Sequence, residues 1–370
     1  MTAVELRGVE KTYRGRAILR GVDLAVEPKS FLVVLGPPSC GKSVLVRLLT
    51  GLEKPTAGKI LLRGQDAVER TSAERDIGYV PQSFALYPHY NVHDNIAYPL
   101  TLMRIPRGEI EPKVRTIAEQ LKIAHLLAKM PNQLSGGEKQ RVALARGVVK
   151  PTDLFILDDP LTGLDFKLRE QLFDDLKDMQ QALSATFVYM TSDALEALGL
   201  ADQVAILDGG RIVSSGPVEE VYRRPPDLRT MELLGAPPAN RLPGVLRVQN
   251  GQVICDAGLF RFPVEPAEAQ SPLVDGWPVT VAIRPQDVAL EPDLPGLLCC
   301  SADVVLEEDL GAEVVVFLRA GPTPLVTVQP QRSRRAAMAE SVTIGVSPKA
   351  AVVFSAETGS RLGQGSGVHV

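Results

Sequence analysis

No stretch of this 370-residue chain reaches the roughly 18 to 20 consecutive apolar residues that a membrane-spanning helix needs, so any membrane association has to come through a partner. Cysteine is scarce. The four thiols, Cys40, Cys255, Cys299 and Cys300, have neither the paired spacing of a zinc site nor the density of a disulfide scaffold. The opening residues Met1-Thr-Ala-Val-Glu show no signal segment, and with that cysteine usage the expectation is a reduced, cytosolic protein. A strong charge of one sign is missing too. A formal net charge of −4 gives no general attraction to anionic lipid or nucleic acid, and no nucleic-acid partner is expected. Aromatic residues are only 5% of the chain, yet 45% of it is apolar, which at this length supplies cores for two domains.

What is present is organised around Phe31 to Leu49. The uninterrupted apolar run Phe31 to Leu35 reads as a buried parallel strand, broken at Gly36 by a loop that opens a helix near Lys42. The intervening G-x-x-x-x-G-K-S is the pattern of a phosphate cradle. Backbone N–H groups from Gly36, Pro37, Pro38, Ser39, Cys40, Gly41, Lys42, Ser43 and Val44 would wrap a nucleotide polyphosphate, apart from the two prolines, which have none. Lys42 would reach the outer phosphates and the Ser43 hydroxyl a magnesium ion. Two positions are unusual. Pro38 cannot donate, and Ser39 stands where a second inner glycine is expected, so phosphate affinity should be reduced. Cys40, at a helix amino terminus, is expected either to have a lowered pKa and line the cradle or to play a passive packing role.

In chain order, Val4 to Ser30 alternates apolar and polar residues between Gly turns, which suggests an antiparallel β subdomain with Tyr13 in a short loop. Ile77 to Val80 reads as a short strand stopped by Pro81, which leaves Gln82 at a strand end, where its amide could meet metal and water. The apolar Phe84, Leu86, Tyr87 and Pro88 follow as core filler or as a dock for another protein's helix. Helical periodicity runs over Ile110 to Met130, ending at Pro131. Ser135, Gly136, Gly137 and Glu138 then open a second helix able to receive phosphate. Asp153 to Asp158 reads as a buried strand with Asp158 and Asp159 at its carboxyl end, Asp158 placed to hold magnesium and Asp159 to orient an attacking water.

Tyr13, the phosphate loop, Gln82, Leu134-Ser-Gly-Gly-Glu138, Leu157-Asp-Asp-Pro160 and Gly163-Leu-Asp165 occur in the order and spacing of an ATP-binding cassette (ABC) transporter ATPase. The resemblance covers residues 1 to about 235. Ala85-Leu-Tyr-Pro-His89 and Asn95-Ile-Ala-Tyr-Pro-Leu100 most resemble the importer subunits for sugars, polyols and glycerol phosphate. It implies an α/β P-loop ATPase with a RecA-like core, an antiparallel β subdomain and a helical subdomain. Tyr13 is then the adenine-stacking ring and ATP with Mg2+ the ligand. Ser135 to Glu138 and Asp165 meet nucleotide across a dimer interface. The implied partners are a second ATPase subunit, two membrane-spanning permease subunits and, indirectly, an extracytoplasmic solute-binding protein. The place implied is the cytoplasmic face of the inner membrane.

Two departures from the family pattern matter. Asp159 stands where the family places a glutamate, one methylene shorter and roughly 1.5 Å short of the water. Ser192 stands where the family places a switch histidine, in Tyr189-Met-Thr-Ser-Asp193, and has no imidazole to bridge the γ-phosphate and the base. The expectation is a site that binds ATP but hydrolyses it poorly, paired in a heterodimer with a competent ATPase whose site the intact Ser135 to Gly137 completes. The alternatives are an active homodimer or an ATP-sensing subunit without turnover. A soluble cassette acting on ribosomes or DNA would join two cassettes or insert a long coiled coil, and this chain has neither.

The cassette is expected to end near Gly235, followed by a Pro-rich linker at 236–243, β-rich runs at 244–358 and a mobile Gly/Ser tail at 359–370. Val281-Ala-Ile-Arg-Pro-Gln-Asp287, Leu310-Gly-Ala-Glu-Val314 and Ile344-Gly-Val-Ser-Pro348 resemble the oligobinding-type regulatory (TOBE) barrel of the same importers. Arg284 reads as a surface charge with no catalytic role.

Overall fold

A computed structural model describes residues 2–83, 85–164, 166–249, 251–267, 273–292, 295–331 and 341–367. The chain divides into two compact units, residues 1–221 and 222–370, fourteen residues earlier than the motifs suggest.

The first unit begins with β1 (Val4–Tyr13) and β2 (Arg16–Val26), followed by β3 (Phe31–Leu35) and α1 (Lys42–Thr50). Next come β4 (Ala57–Leu62), β5 (Gln65–Asp66), β6 (Gly78–Val80), α2 (Val92–Leu102), α3 (Arg107–Gln120) and α4 (Gly136–Val148). It continues through β7 (Leu154–Asp158), α5 (Phe166–Leu183), β8 (Thr186–Thr191), α6 (Ala194–Leu200), β9 (Gln203–Asp208) and β10 (Arg211–Pro217). One sheet is antiparallel, in the order β2-β1-β4-β5. The other has six strands in the order β10-β9-β3-β8-β7-β6, parallel except for the edge strand β10.

Strands β3, β7 and β8 are buried at every residue, as their continuous apolar runs require of strands covered on both faces. Phe187 in β8 lies 5.5 Å from Phe31 and 5.2 Å from Phe155, ring centre to ring centre, and ties the three strands together. Leu45, Val46, Leu48 and Leu49 of α1 pack into the same core. Because β3, β6, β7 and β8 run parallel, their carboxyl ends deliver Gly36, Gln82, Asp158 and Ser192 to one edge, where open α/β sheets take ligands.

The second unit holds α7 (Val218–Arg223, astride the boundary), α8 (Leu228–Leu233) and two β assemblies. Strands β11 (Asn240–Gln249), β12 (Gln252–Asp256), β13 (Arg261–Pro266), β14 (Pro278–Ile283), β20 (Val352–Ser355) and β21 (Arg361–Gly365) close a barrel in the order β11-β12-β13-β21-β20-β14. A second sheet runs β15-β19-β16-β17-β18, from β15 (Val288–Leu290), β16 (Leu298–Asp309), β17 (Glu313–Ala320), β18 (Thr323–Pro330) and β19 (Ser341–Val346).

Four expectations are corrected. The helix from Ile110 ends at Gln120 rather than Met130, and Lys122 turns away with φ 59°. Residues 240–243 are not linker but the start of β11, paired with β14. Residues 361–365 are not a mobile tail, because β21 pairs with both β13 and β20. Arg284 is buried, with its guanidinium 3.7 Å over the Tyr222 ring and donating to the carbonyls of Leu234 and Tyr222 at 3.0 and 2.8 Å.

Candidate functional site

The phosphate loop leaves β3 at Leu35 and enters α1 through Gly41, the helix N-cap, at φ 116°. Gly36 cannot carry a side chain, since a Cβ there would sit 2.2 Å from the Leu207 carbonyl oxygen and 2.6 Å from Cys40 Sγ. Ser39 adopts φ 66°, the left-handed region that glycine occupies without strain, so the replacement that the sequence made conspicuous falls on a demanding position. The Lys42 ammonium donates to the carbonyls of Gly36 and Pro37 at 2.6 and 3.1 Å, so a phosphate that takes Lys42 exchanges these two neutral acceptors for charged ones. Of the two roles open to Cys40, the structure shows packing. It is packed in the core, and burial pushes its thiol up rather than down, against the opposing pull of Lys42.

A cavity of about 360 Å³ lies over this loop, lined by Pro38, Ser39, Gly41, Lys42, Ser43 and Val44, by Gln82, Asp158, Asp159 and Ser192, and by Ile18 from β2. The structure thus brings the loop, the strand-end carboxylates, Gln82 and Ser192 to one chamber. Ile18 had no sequence signal. Burial, and then the neighbouring charge of Asp159, raise the Asp158 carboxyl above its ordinary range, while Lys42 and Arg47 pull it back. Asp159 sits at φ 48° with its N–H donating to Met190 O at 2.9 Å, and its Oδ2 accepts a long hydrogen bond (3.4 Å) from Gln82 Nε2.

Ser192 is exposed at the end of β8, and behind it lies a polar cluster that sequence reasoning missed. Tyr189 and Thr191, both fully buried, donate their hydroxyls to Glu196 Oε2 at 2.8 and 2.6 Å. Thr191 Oγ1 also accepts from Asp193 N at 3.0 Å, and Asp193 pairs with Arg169 and caps α6 through Leu195 N. An acid five and seven residues from its hydroxyl partners, on the helix after their strand, carries no local motif, which is why the sequence does not announce them.

The remaining site candidates lie outside this chamber. Ser135 caps α4 in a reciprocal box: its hydroxyl accepts from Glu138 N at 3.3 Å, and the Glu138 carboxylate accepts from Ser135 N at 2.7 Å, a bond that lowers the Glu138 pKa. Ser135 and Gly136 are exposed, so this helix start faces outward. Tyr13 is at the end of β1 rather than in a loop, and the residue is 36% exposed. Asp165 and Phe84 fall outside the described residues. After Gln82, Tyr87, Tyr90 and Tyr98 form a ring cluster, with 4.7 Å between the centres of Tyr87 and Tyr98. The fully buried Asn95 holds this segment through Tyr87 and the Tyr90 carbonyl, and Leu102 and Met103 lie exposed at the end of α2.

A family model described as ABC transporter matches residues 19–162, and one described as TOBE domain matches residues 281–354. An sn-glycerol-3-phosphate import ATP-binding protein of Cupriavidus metallidurans is 35% identical over 98% of this chain and 99% of its own. A trehalose/maltose import ATP-binding protein of Thermococcus litoralis is 36% identical over 88% and 90%. Among solved structures, cbiO1 of Clostridium perfringens, part of the ABC transporter complex cbiONQ, superimposes with a TM-score of 0.55 at 26% identity, covering 61% of this chain and 96% of that one. An ATP-binding cassette dimer in a post-hydrolysis state with ADP and Pi gives 0.53 at 26%, covering 58% and 98%.

Proposed function

Because the chain belongs to the ABC transporter family, among the sugar and glycerol-phosphate importer ATPases, we propose that it energises uptake of a sugar, polyol or glycerol-type solute while its own nucleotide site binds ATP and cleaves it slowly. The observation that carries the second half is the wall of the phosphate-loop chamber, where Asp159 and Ser192 stand in place of a longer acid and an imidazole.

In this reading Tyr13 stacks on the adenine, the loop N–H groups from Ser39 to Val44 cradle the phosphates and Lys42 holds the outer ones. Ser43 hydroxyl, Asp158 carboxylate and Gln82 amide oxygen are hard donors gathered in one chamber, the set that suits magnesium. They would hold the ion, which supplies neutralisation of phosphate charge when bound. Asp159 is the acceptor aimed at water, but its short arm already leans on Gln82. Loss of a positioned base costs about 10² to 10⁴ in rate. Loss of a donor to developing phosphate charge costs about 10² to 10³.

The exposed, well-capped start of α4 supports a further step: Ser135, Gly136 and Gly137 complete the site of a second, competent ATPase subunit in a heterodimer. ATP held between the two cassettes closes them, and cleavage at the competent site releases them. The Tyr87, Tyr90 and Tyr98 cluster, and the exposed Leu102 and Met103 at the end of α2, are offered to a permease helix at the cytoplasmic face of the membrane. The test is the homogeneous purified chain. It should bind ATP in equilibrium dialysis with magnesium yet release little phosphate, whereas brisk magnesium-dependent turnover would end the slow-site proposal.

A further inference from the structure

Tyr13 is separated from its cross-strand partner Arg16 by a two-residue turn, Arg14 and Gly15, both at positive φ (47° and 82°). A ring at the tip of a hairpin has free rotamers, and a stacking platform needs one fixed plane. What fixes it is in the segment after α1. The Tyr13 hydroxyl bonds to the Glu53 carboxylate, which also pairs with Lys11 at 3.1 Å and with Arg47 of α1 at 3.3 Å. Glu53 is itself held, its N–H donating to Arg47 O at 3.1 Å, while Lys11 Nζ donates to Lys54 O at 2.7 Å and Thr12 N to Thr56 Oγ1 at 3.0 Å. The Lys11 ammonium lies over the Tyr13 ring, 5.0 Å from its centre, and the residue as a whole is still 36% exposed. One carboxylate therefore links the platform to the helix that begins at the phosphate loop.

We infer that Glu53 is a positioning residue for nucleotide binding: it holds the Tyr13 phenol so that the ring presents a fixed face to the base. The inference rests on the reading of Tyr13 as the adenine platform. Its energetic content is the rotamer ordering that an untethered ring would have to undergo on binding. That is worth about three- to tenfold in affinity for one side chain. The hydrogen bond from Tyr13 is also the leading cause of the lowered Glu53 pKa, so the carboxylate is the form that the phenol meets at neutral pH.

The test compares ATP with inorganic tripolyphosphate, which has no base, as ligands of the full chain. Glu53→Ala and Tyr13→Phe should each weaken ATP about three- to tenfold and leave tripolyphosphate within twofold. The double variant should be no worse than either single one. Glu53→Gln, which keeps an acceptor for the phenol, should recover most of the loss. Equal weakening of both ligands by Tyr13→Phe and Glu53→Ala would reduce Glu53 to a brace of the fold, and unchanged ATP affinity in both would remove its role altogether. Tyr13→Ala separates the two levels. If it too leaves the ratio of ATP to tripolyphosphate affinity unchanged, the adenine platform itself is wrong; if it collapses that ratio while Glu53→Ala does not, only the tether is.

Discussion

Glu196 carries its carboxyl in an interior that raises its pKa, burial outweighing the hydroxyls of Thr191 and Tyr189 that favour the ionised form. The folded chain therefore keeps this proton at pH values where the unfolded chain has lost it. Stability falls as pH rises from the ordinary value of 4.5 through the raised one. Glu196→Gln stays neutral and still accepts from both hydroxyls. In urea titrations it should match the parent near pH 4.5 and exceed it at about pH 8; a parent that gains on the variant with rising pH would refute the buried-acid account. At the loop, Lys42→Ala removes a donor to charged phosphate and should weaken ATP binding roughly 10- to 100-fold in equilibrium dialysis. The two residues differ in how the sequence shows them. Lys42 stands in a motif whose spacing is dictated by phosphate geometry, whereas Glu196 acts through contacts that exist only once β8 and α6 have packed. Cys40 stays undecided in the sequence for the same reason. Position at a helix start is written in the sequence, but burial against the core is not.

Helix α1 is finished by a residue far from it in sequence. Arg75, 1% exposed, donates to the carbonyls of Leu48 and Leu49 at the helix end and to Arg70 O, replacing the water those carbonyls would otherwise need. Arg75→Met keeps much of the volume but takes the guanidinium from Leu49 O and leaves Leu48 O with only the long bond from Gly51 N (3.4 Å), at about 1–3 kcal/mol. Its urea midpoint should drop accordingly, and an unchanged midpoint would show that the cap is dispensable. The start of α4, by contrast, was legible because S-x-x-E is a local code for a helix amino terminus. The end of α3 was not, since Leu121, Ile123 and Leu126 continue the apolar spacing into a 3-10 turn after the chain has left the helix. Composition misled twice at the other end of the chain. Pro243 suggested linker but pairs with Thr280 inside β11, and the glycines near the carboxyl end suggested mobility. A Cβ on Gly365 would lie 2.0 Å from the Pro348 carbonyl oxygen, so close packing rather than freedom explains that glycine.

The two units of the molecule were visible as motif-rich and motif-poor halves, and the barrel was expected from short β runs between Gly and Pro turns, but which strand closes it depends on pairing across the whole second unit. Deleting residues 361–370 removes β21 and leaves β13 and β20 with unpaired edges. The chain's single tryptophan, Trp277, packs against the barrel core and reports the outcome. The truncated chain should show red-shifted emission and a lower unfolding midpoint, and a native spectrum would mean that the barrel closes without β21. At the same scale lies the proposal that ATP is gripped and then left largely intact because the groups that ready water are too short or absent. Asp159→Glu with Ser192→His restores both the reach and the imidazole. Steady-state phosphate release by the homogeneous double variant, set against the parent at saturating ATP and magnesium, is the measurement that decides it. The double variant should gain on the order of 10²-fold or more with ATP affinity little changed; a parent that already turns over briskly and a double variant that is no faster would refute the slow site.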